Sequence, residues 1–79
     1  MIEIRFFTTL GCHLCEDAEV LLNTLVNNGI IQVESVDIFD DDELMALYDI
    51  RIPVIKRLDT GEELGWPFDV QSLSQFVIS

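Results

Sequence analysis

The 79-residue sequence predicts an α/β fold, a four-stranded mixed sheet flanked by three helices in the order β-α-β-α-β-β-α. Three observations carry that expectation. Runs of β-branched and aromatic residues alternate with stretches whose apolar residues recur every three or four positions. A helix-length segment separates the first two strands, which permits a parallel pair, whereas a short turn joins the last two, which demands an antiparallel hairpin. No repeat, linker or low-complexity segment interrupts the pattern, so residues 1–79 read as a single domain.

Each element has its own local cause. Ile2, Ile4, Phe6, Phe7 and Thr8 form a first strand that ends at Thr9-Leu10-Gly11. From His13 onward, Leu14, Ala18, Leu21, Leu22, Leu25 and Val26 keep helical spacing, and Asn28-Gly29 ends the helix, with Gly29 suited to a left-handed C-cap. Ile31, Val33, Val36 and Ile38 make a second strand whose alternation slips near Ser35, which predicts a bulge there. Asp40-Asp41-Asp42-Glu43 then places acids at the positive end of a short helix carrying Leu44, Met45, Leu47 and Tyr48. That acidic run lacks the glycine and alternating ligands of a calcium loop. Val54 to Leu58 reads as the third strand, Asp59-Thr60-Gly61 as a turn, and Glu62 to Trp66 as the fourth. Asp69 can cap a last helix that carries Val70, Leu73, Phe76 and Val77 on one face.

The chain's two cysteines both lie in one tetrapeptide, Cys12-His13-Leu14-Cys15, at the start of the first helix. A bridge between cysteines so close closes too small a loop to staple the chain, so the pair reads as functional rather than structural. A cysteine at a helix N-terminus meets unpaired N–H groups and the positive end of the dipole, both favouring the thiolate, which is the nucleophile of disulfide exchange. A cationic His13 would lower the Cys12 pKa, and Glu16, one turn on, would raise it. The expected balance is a modest depression.

Composition excludes some functions. Fifteen acidic against four basic residues give a formal charge of −11, which leaves no basic footprint for nucleic acid. Three of the four cations, Arg51, Lys56 and Arg57, fall within seven residues and would form a cationic spot if the fold brings them beside the cysteines. Hydrophobic residues make up 49% of the chain, enough for a core, yet no apolar run approaches the roughly 18 residues of a membrane span. The opening residues form strand rather than a leader, so the expectation is a cytoplasmic protein without membrane partners.

These features converge on a resemblance. The segments Phe7-Thr8-Thr9-Leu10-Gly11-Cys12-His13-Leu14-Cys15, Val36-Asp37-Ile38, Tyr48-Asp49-Ile50-Arg51-Ile52-Pro53-Val54 and Gly65-Trp66-Pro67-Phe68-Asp69 resemble glutaredoxin-like members of the thioredoxin superfamily, specifically the small bacterial glutaredoxin-like proteins. The resemblance implies a thioredoxin-like fold with a cis peptide bond before Pro53, beside the cysteines. It implies that Cys12 is the exposed nucleophile and Cys15 the resolving thiol. It further implies that Ile52 and Pro53 present backbone N–H and C=O groups to an extended substrate or to glutathione. Arg51 could pair there with a glutathione carboxylate, and Phe68 and Asp69 fall near the stretch that contacts its γ-glutamyl group. This chain departs from the family pattern in having His-Leu between the cysteines, Asp49 after the tyrosine, Thr8 and Thr9 in place of the usual lysine, and a different loop around Trp66-Pro67.

The leading function implied is thiol–disulfide exchange through Cys12 and Cys15, with no bound cofactor, glutathione as possible co-substrate, and glutathione or a reductase as donor. Protein or small-molecule disulfides would be the substrates, and the protein would act as a monomer. Two alternatives stand beside it. One is a thioredoxin-fold module that binds a partner with little turnover. The other is metal or iron–sulfur binding through Cys12, His13 and Cys15, although a closed zinc site wants four ligands and the expectation is no metal.

Overall fold

The computed structural model describes residues 2–78. Its strands are β1 (Ile2–Thr8), β2 (Ile31–Asp37), β3 (Val54–Arg57) and β4 (Glu63–Gly65), and its helices are α1 (His13–Asn27), α2 (Asp42–Tyr48) and α3 (Val70–Ile78). The sheet order is β2-β1-β3-β4. β1 pairs parallel with β2 and antiparallel with β3, and β3 and β4 form the expected hairpin. Three strands are shorter than the residue types suggest, because Ile38, Leu58, Glu62 and Trp66 fall outside the ladders, and Ile38 instead opens a 3-10 turn, Ile38–Asp40.

Strand alternation divides the core between the two faces of the sheet. Ile4, Phe6, Ile31 and Ile55 meet Ala18, Leu22 and Leu25 of α1 and Leu73 and Val77 of α3 on one face. On the other, Phe7 and Val54 pack with Ile38 and Tyr48, under Leu44 and Met45 of α2. This two-sided cover corrects the expected bulge. β2 pairs with β1 without interruption from Ile31 to Asp37, so Ser35 keeps register. The apolar pattern slips because Val33 faces the α1 layer while Val36 faces α2, and each half of the strand buries a different side.

The helix ends follow from capping residues. Gly29 at φ 73° closes α1, with Gly29 N–H donating to Val26 O and Ile30 N–H to Leu25 O, which is the Schellman arrangement. Asp41 caps α2 through the N–H groups of Glu43 and Leu44. Asp69 accepts the Ser72 N–H at 2.8 Å and so starts α3. Val70, expected on the buried face of that helix, is instead largely exposed, since it occupies the first helical position at the edge of the core.

Candidate functional site

The site begins where β1 ends. Gly11, at φ 77°, turns the chain into Cys12, which has extended backbone angles and stands as the N-cap of α1. Cys12 and Cys15 form a disulfide with their Cα atoms 5.2 Å apart. Cys15 lies on the inner face of α1 with 3% exposure, whereas Cys12 is only partly buried. The Cys15 N–H donates to the Cys12 sulfur at 3.1 Å, and the Cys12 carbonyl accepts the Glu16 N–H at 3.2 Å. One orphan donor of the helix terminus is therefore aimed at the outer sulfur. His13 Nδ1 lies 3.5 Å from Glu16 Oε2, and both side chains are exposed, so their mutual hold is weak.

The Ile52–Pro53 bond is cis, and Pro53 is fully buried. Ile52 and Cys12 pack against the same core cluster, which also takes in Cys15, Phe68 and Trp66. Two of the backbone polar groups of the Ile52–Pro53 pair are engaged within the fold: Ile52 N–H donates to Tyr48 O at 3.1 Å, and Pro53 O accepts the Trp66 N–H at 3.0 Å. The Ile52 N–H is thus engaged by the last turn of α2. Phe68 turns its ring into the core and meets Trp66 edge-on at 5.1 Å between centroids. Asp69 is committed to α3, since its N–H donates to Ser72 Oγ at 2.9 Å and the Ser72 N–H holds its carboxylate below the usual range. The Trp66–Pro67 bond is also cis.

Of the three clustered cations, Arg57 turns away, whereas Arg51 and Lys56 both lie by Glu63 and lower its pKa. Arg57 points under α3, where it makes a two-pronged pair with Asp59, at 3.0 and 2.7 Å, and donates to Phe76 O at 2.8 Å. Lys56, its strand neighbour, faces the other side of the sheet opposite Glu63. Arg51 lies 3.1 Å from Glu63 Oε1, and its guanidinium stands 5.3 Å from the centre of the Tyr48 ring. The Tyr48 hydroxyl donates to Glu63 Oε2, and its ring stacks on Phe7 at 4.2 Å. Sequence reading singles out Arg51 but not Tyr48 or Glu63 as its partners. The three-residue spacing of Tyr48 and Arg51 is a faint signal, while Glu63 reaches them only across the hairpin.

Surface depressions border both ends of the sheet. One of about 300 Å³, along Ile2, Glu3, Leu58 and Asp59, lies at the end of β1 away from the disulfide. Another of about 280 Å³ runs along Pro67, Phe68, Asp69 and Ser72, and one of about 250 Å³ along Thr9, Leu10, Asp37 and Phe39. Among the described residues, no group of three or more His, Cys, Asp or Glu side chains converges as a metal site, and no helix is long and apolar enough to cross a membrane. Chemically, the arrangement offers one accessible sulfur at a helix N-terminus, a second sulfur buried within bonding reach, and a proline loop alongside.

Comparison with known proteins agrees with this geometry. The family model described as Glutaredoxin-like domain (DUF836) matches residues 3–77. The X-ray structure of Northeast Structural Genomics target protein XcR50 from X. campestris is 32% identical with a TM-score of 0.79, covering 95% of each chain. Protein Ne2328 from Nitrosomonas europaea, solved by solution NMR, is 25% identical with a TM-score of 0.80, over 95% of this chain and 89% of that one. Thioredoxin 1 from Thermosipho africanus TCF52B shares the fold at 19% identity and a TM-score of 0.71, over 96% of this chain and 89% of its own. No curated protein matches. With a thioredoxin-like α/β fold and a family match over nearly its whole length, the chain belongs to the glutaredoxin-like domain family (DUF836).

Proposed function

We propose that this protein is a cytoplasmic thiol–disulfide oxidoreductase that cycles Cys12 and Cys15 between dithiol and disulfide. The observation that carries the reading is the asymmetric pair at the α1 terminus: an accessible Cys12 sulfur receiving the Cys15 N–H, and a Cys15 buried beneath it. In the reduced protein the Cys12 thiolate attacks one sulfur of a substrate disulfide. A Cys12–substrate bond forms, the substrate's S–S bond breaks, and the first substrate thiolate leaves and takes up a proton. Cys15 then loses its proton and attacks the Cys12 sulfur, forming the Cys12–Cys15 bond and releasing the second substrate thiol. The substrate gains two electrons and two protons, and the protein is left oxidised. Two thiols of glutathione, or the dithiol of a reductase, return the electrons by the reverse exchange.

Reduction of hydroxyethyl disulfide, coupled in turn to glutathione and to a thioredoxin reductase, tests the proposal. Wild type should turn over with at least one donor, Cys12→Ser should be inactive, and Cys15→Ser should accumulate a mixed disulfide visible by mass. Wild type no faster than the uncatalysed background with either donor would contradict it. A partner-binding module with little turnover is the second reading, favoured by the large apolar side chains of Leu10, Phe39 and Ile50 exposed on the loops. In that case replacing both cysteines by serine would leave partner binding intact.

A further inference from the structure

The depression beside the cysteine loop has an unusual lining. Leu10 is 91% exposed and Phe39 72% exposed, yet both border the same cavity of about 250 Å³ with Thr9 and Asp37. Large apolar side chains exposed singly are ordinary, whereas two of them brought together on one cavity mark a surface for contact with something else. Topology sets the place. Thr8 and Asp37 are partners in the last rung of the β1–β2 ladder, so the cavity lies at the strand ends from which the chain enters Cys12. Leu10 precedes Cys12 by two residues, which puts their Cα atoms no more than about 7 Å apart.

The carboxylate is held in position. Asp37 Oδ1 accepts the Phe39 N–H at 2.9 Å, which fixes the short turn carrying Phe39, and among the described residues no hydrogen bond engages Oδ2. Asp40, Asp41, Asp42 and Glu43 follow directly, on a chain of net charge −11. An aliphatic wall, an aromatic face and a carboxylate together suit a long aliphatic stem that ends in a cation. We propose that this cavity is a recognition subsite for a lysine or arginine side chain of a polypeptide disulfide, lying one or two residues from the cysteine that Cys12 attacks. The stem packs on Leu10, the cationic head lies over the Phe39 ring, and Asp37 pairs with it. This inference rests on the oxidoreductase reading and names its substrate class as a basic protein segment.

The test uses two short peptides, each with one cysteine held as a mixed disulfide with a neutral thiol. One carries arginine two residues from that cysteine and the other carries citrulline, which has the same shape without the charge. The full protein should show a KM for the arginine peptide about five- to tenfold below that for the citrulline peptide. Phe39→Leu and Asp37→Asn should each remove most of that preference and leave hydroxyethyl disulfide turnover unchanged. Asparagine still caps the turn and leucine fills the same exposed space, so both variants should fold. The bulk acidic charge alone would also favour arginine, and a preference that survives both substitutions overturns the subsite. Equal KM values for the two peptides do the same. Should hydroxyethyl disulfide not turn over, the oxidoreductase reading has failed. The subsite then stands or falls on NMR titration with the serine counterparts of the peptides: the arginine form must shift the Leu10 and Phe39 amide signals, and the citrulline form must not.

Discussion

The Cys15 N–H donates to the Cys12 sulfur across 3.1 Å, so the helix that buries one cysteine presents a donor to the other. A sulfur that carries charge gains more from that donor than a neutral one does. Alkylation of the reduced protein with iodoacetamide should therefore label Cys12 well before Cys15, as read by peptide mass mapping. Comparable labelling of the two would remove the distinction between outer and inner thiol on which the exchange sequence depends.

Arg51 already has a carboxylate partner in Glu63. Arg51→Ala is expected to change the KM for glutathione less than twofold, since the guanidinium is occupied. Glu63→Gln keeps the hydrogen-bonding shape but removes the charge, and should lower that KM by about two- to fivefold, the worth of a partly exposed ion pair. Steady-state kinetics of the two variants checks this; a large loss in Arg51→Ala would show that substrate displaces Glu63.

Tyr48 is the single tyrosine of the chain, so its titration can be followed by phenolate absorbance. Burial, the hydrogen bond to Glu63 and the charge of Glu63 push its pKa from 10.0 to about 12, against the pull of Arg51. A raised phenol contributes stability that is fully present below pH 10 and lost as pH rises towards about 12. The same bond, with Arg51, holds the Glu63 carboxyl below its ordinary 4.5, so that contribution is present above pH 4.5 and lost as pH falls. Tyr48→Phe should cost about 1 kcal/mol at neutral pH in denaturant unfolding, with Glu63 still partly wet. A phenol titrating at its ordinary value would refute the coupling.

Leu22 is fully buried between α1 and the sheet, in the layer that carries Cys15. Leu22→Ala should cost about 2–5 kcal/mol in chemical denaturation and loosen the seat of the inner cysteine. A loss below 1 kcal/mol, about the worth of a single methylene, would show that this layer is not close-packed.

Local chemistry was legible where a residue acts on its own neighbourhood. Gly29 ends α1, the acids Asp40 to Glu43 open α2 and Asp69 starts α3, and the cysteine tetrapeptide stands at the start of α1. Relations across the sheet were not legible. The fate of Arg51 depends on Glu63 in another strand, and Arg57 turns away from Lys56 only once strand alternation is set. The slip near Ser35 looked like a bulge because one covered face was assumed for β2, whereas Val33 and Val36 serve two. Leu10 and Phe39 carry no sequence signal as a pair, since only parallel pairing of β1 with β2 brings their loops together.

The central claim is that Cys12 and Cys15 form a couple able to cycle, and its reduction potential against a glutathione buffer tests that most directly. A single two-electron transition between about −270 and −180 mV, the span of thioredoxins, glutaredoxins and disulfide isomerase, is the predicted result. If Cys12 and Cys15 form no intramolecular disulfide at any buffer poise, the exchange mechanism is wrong.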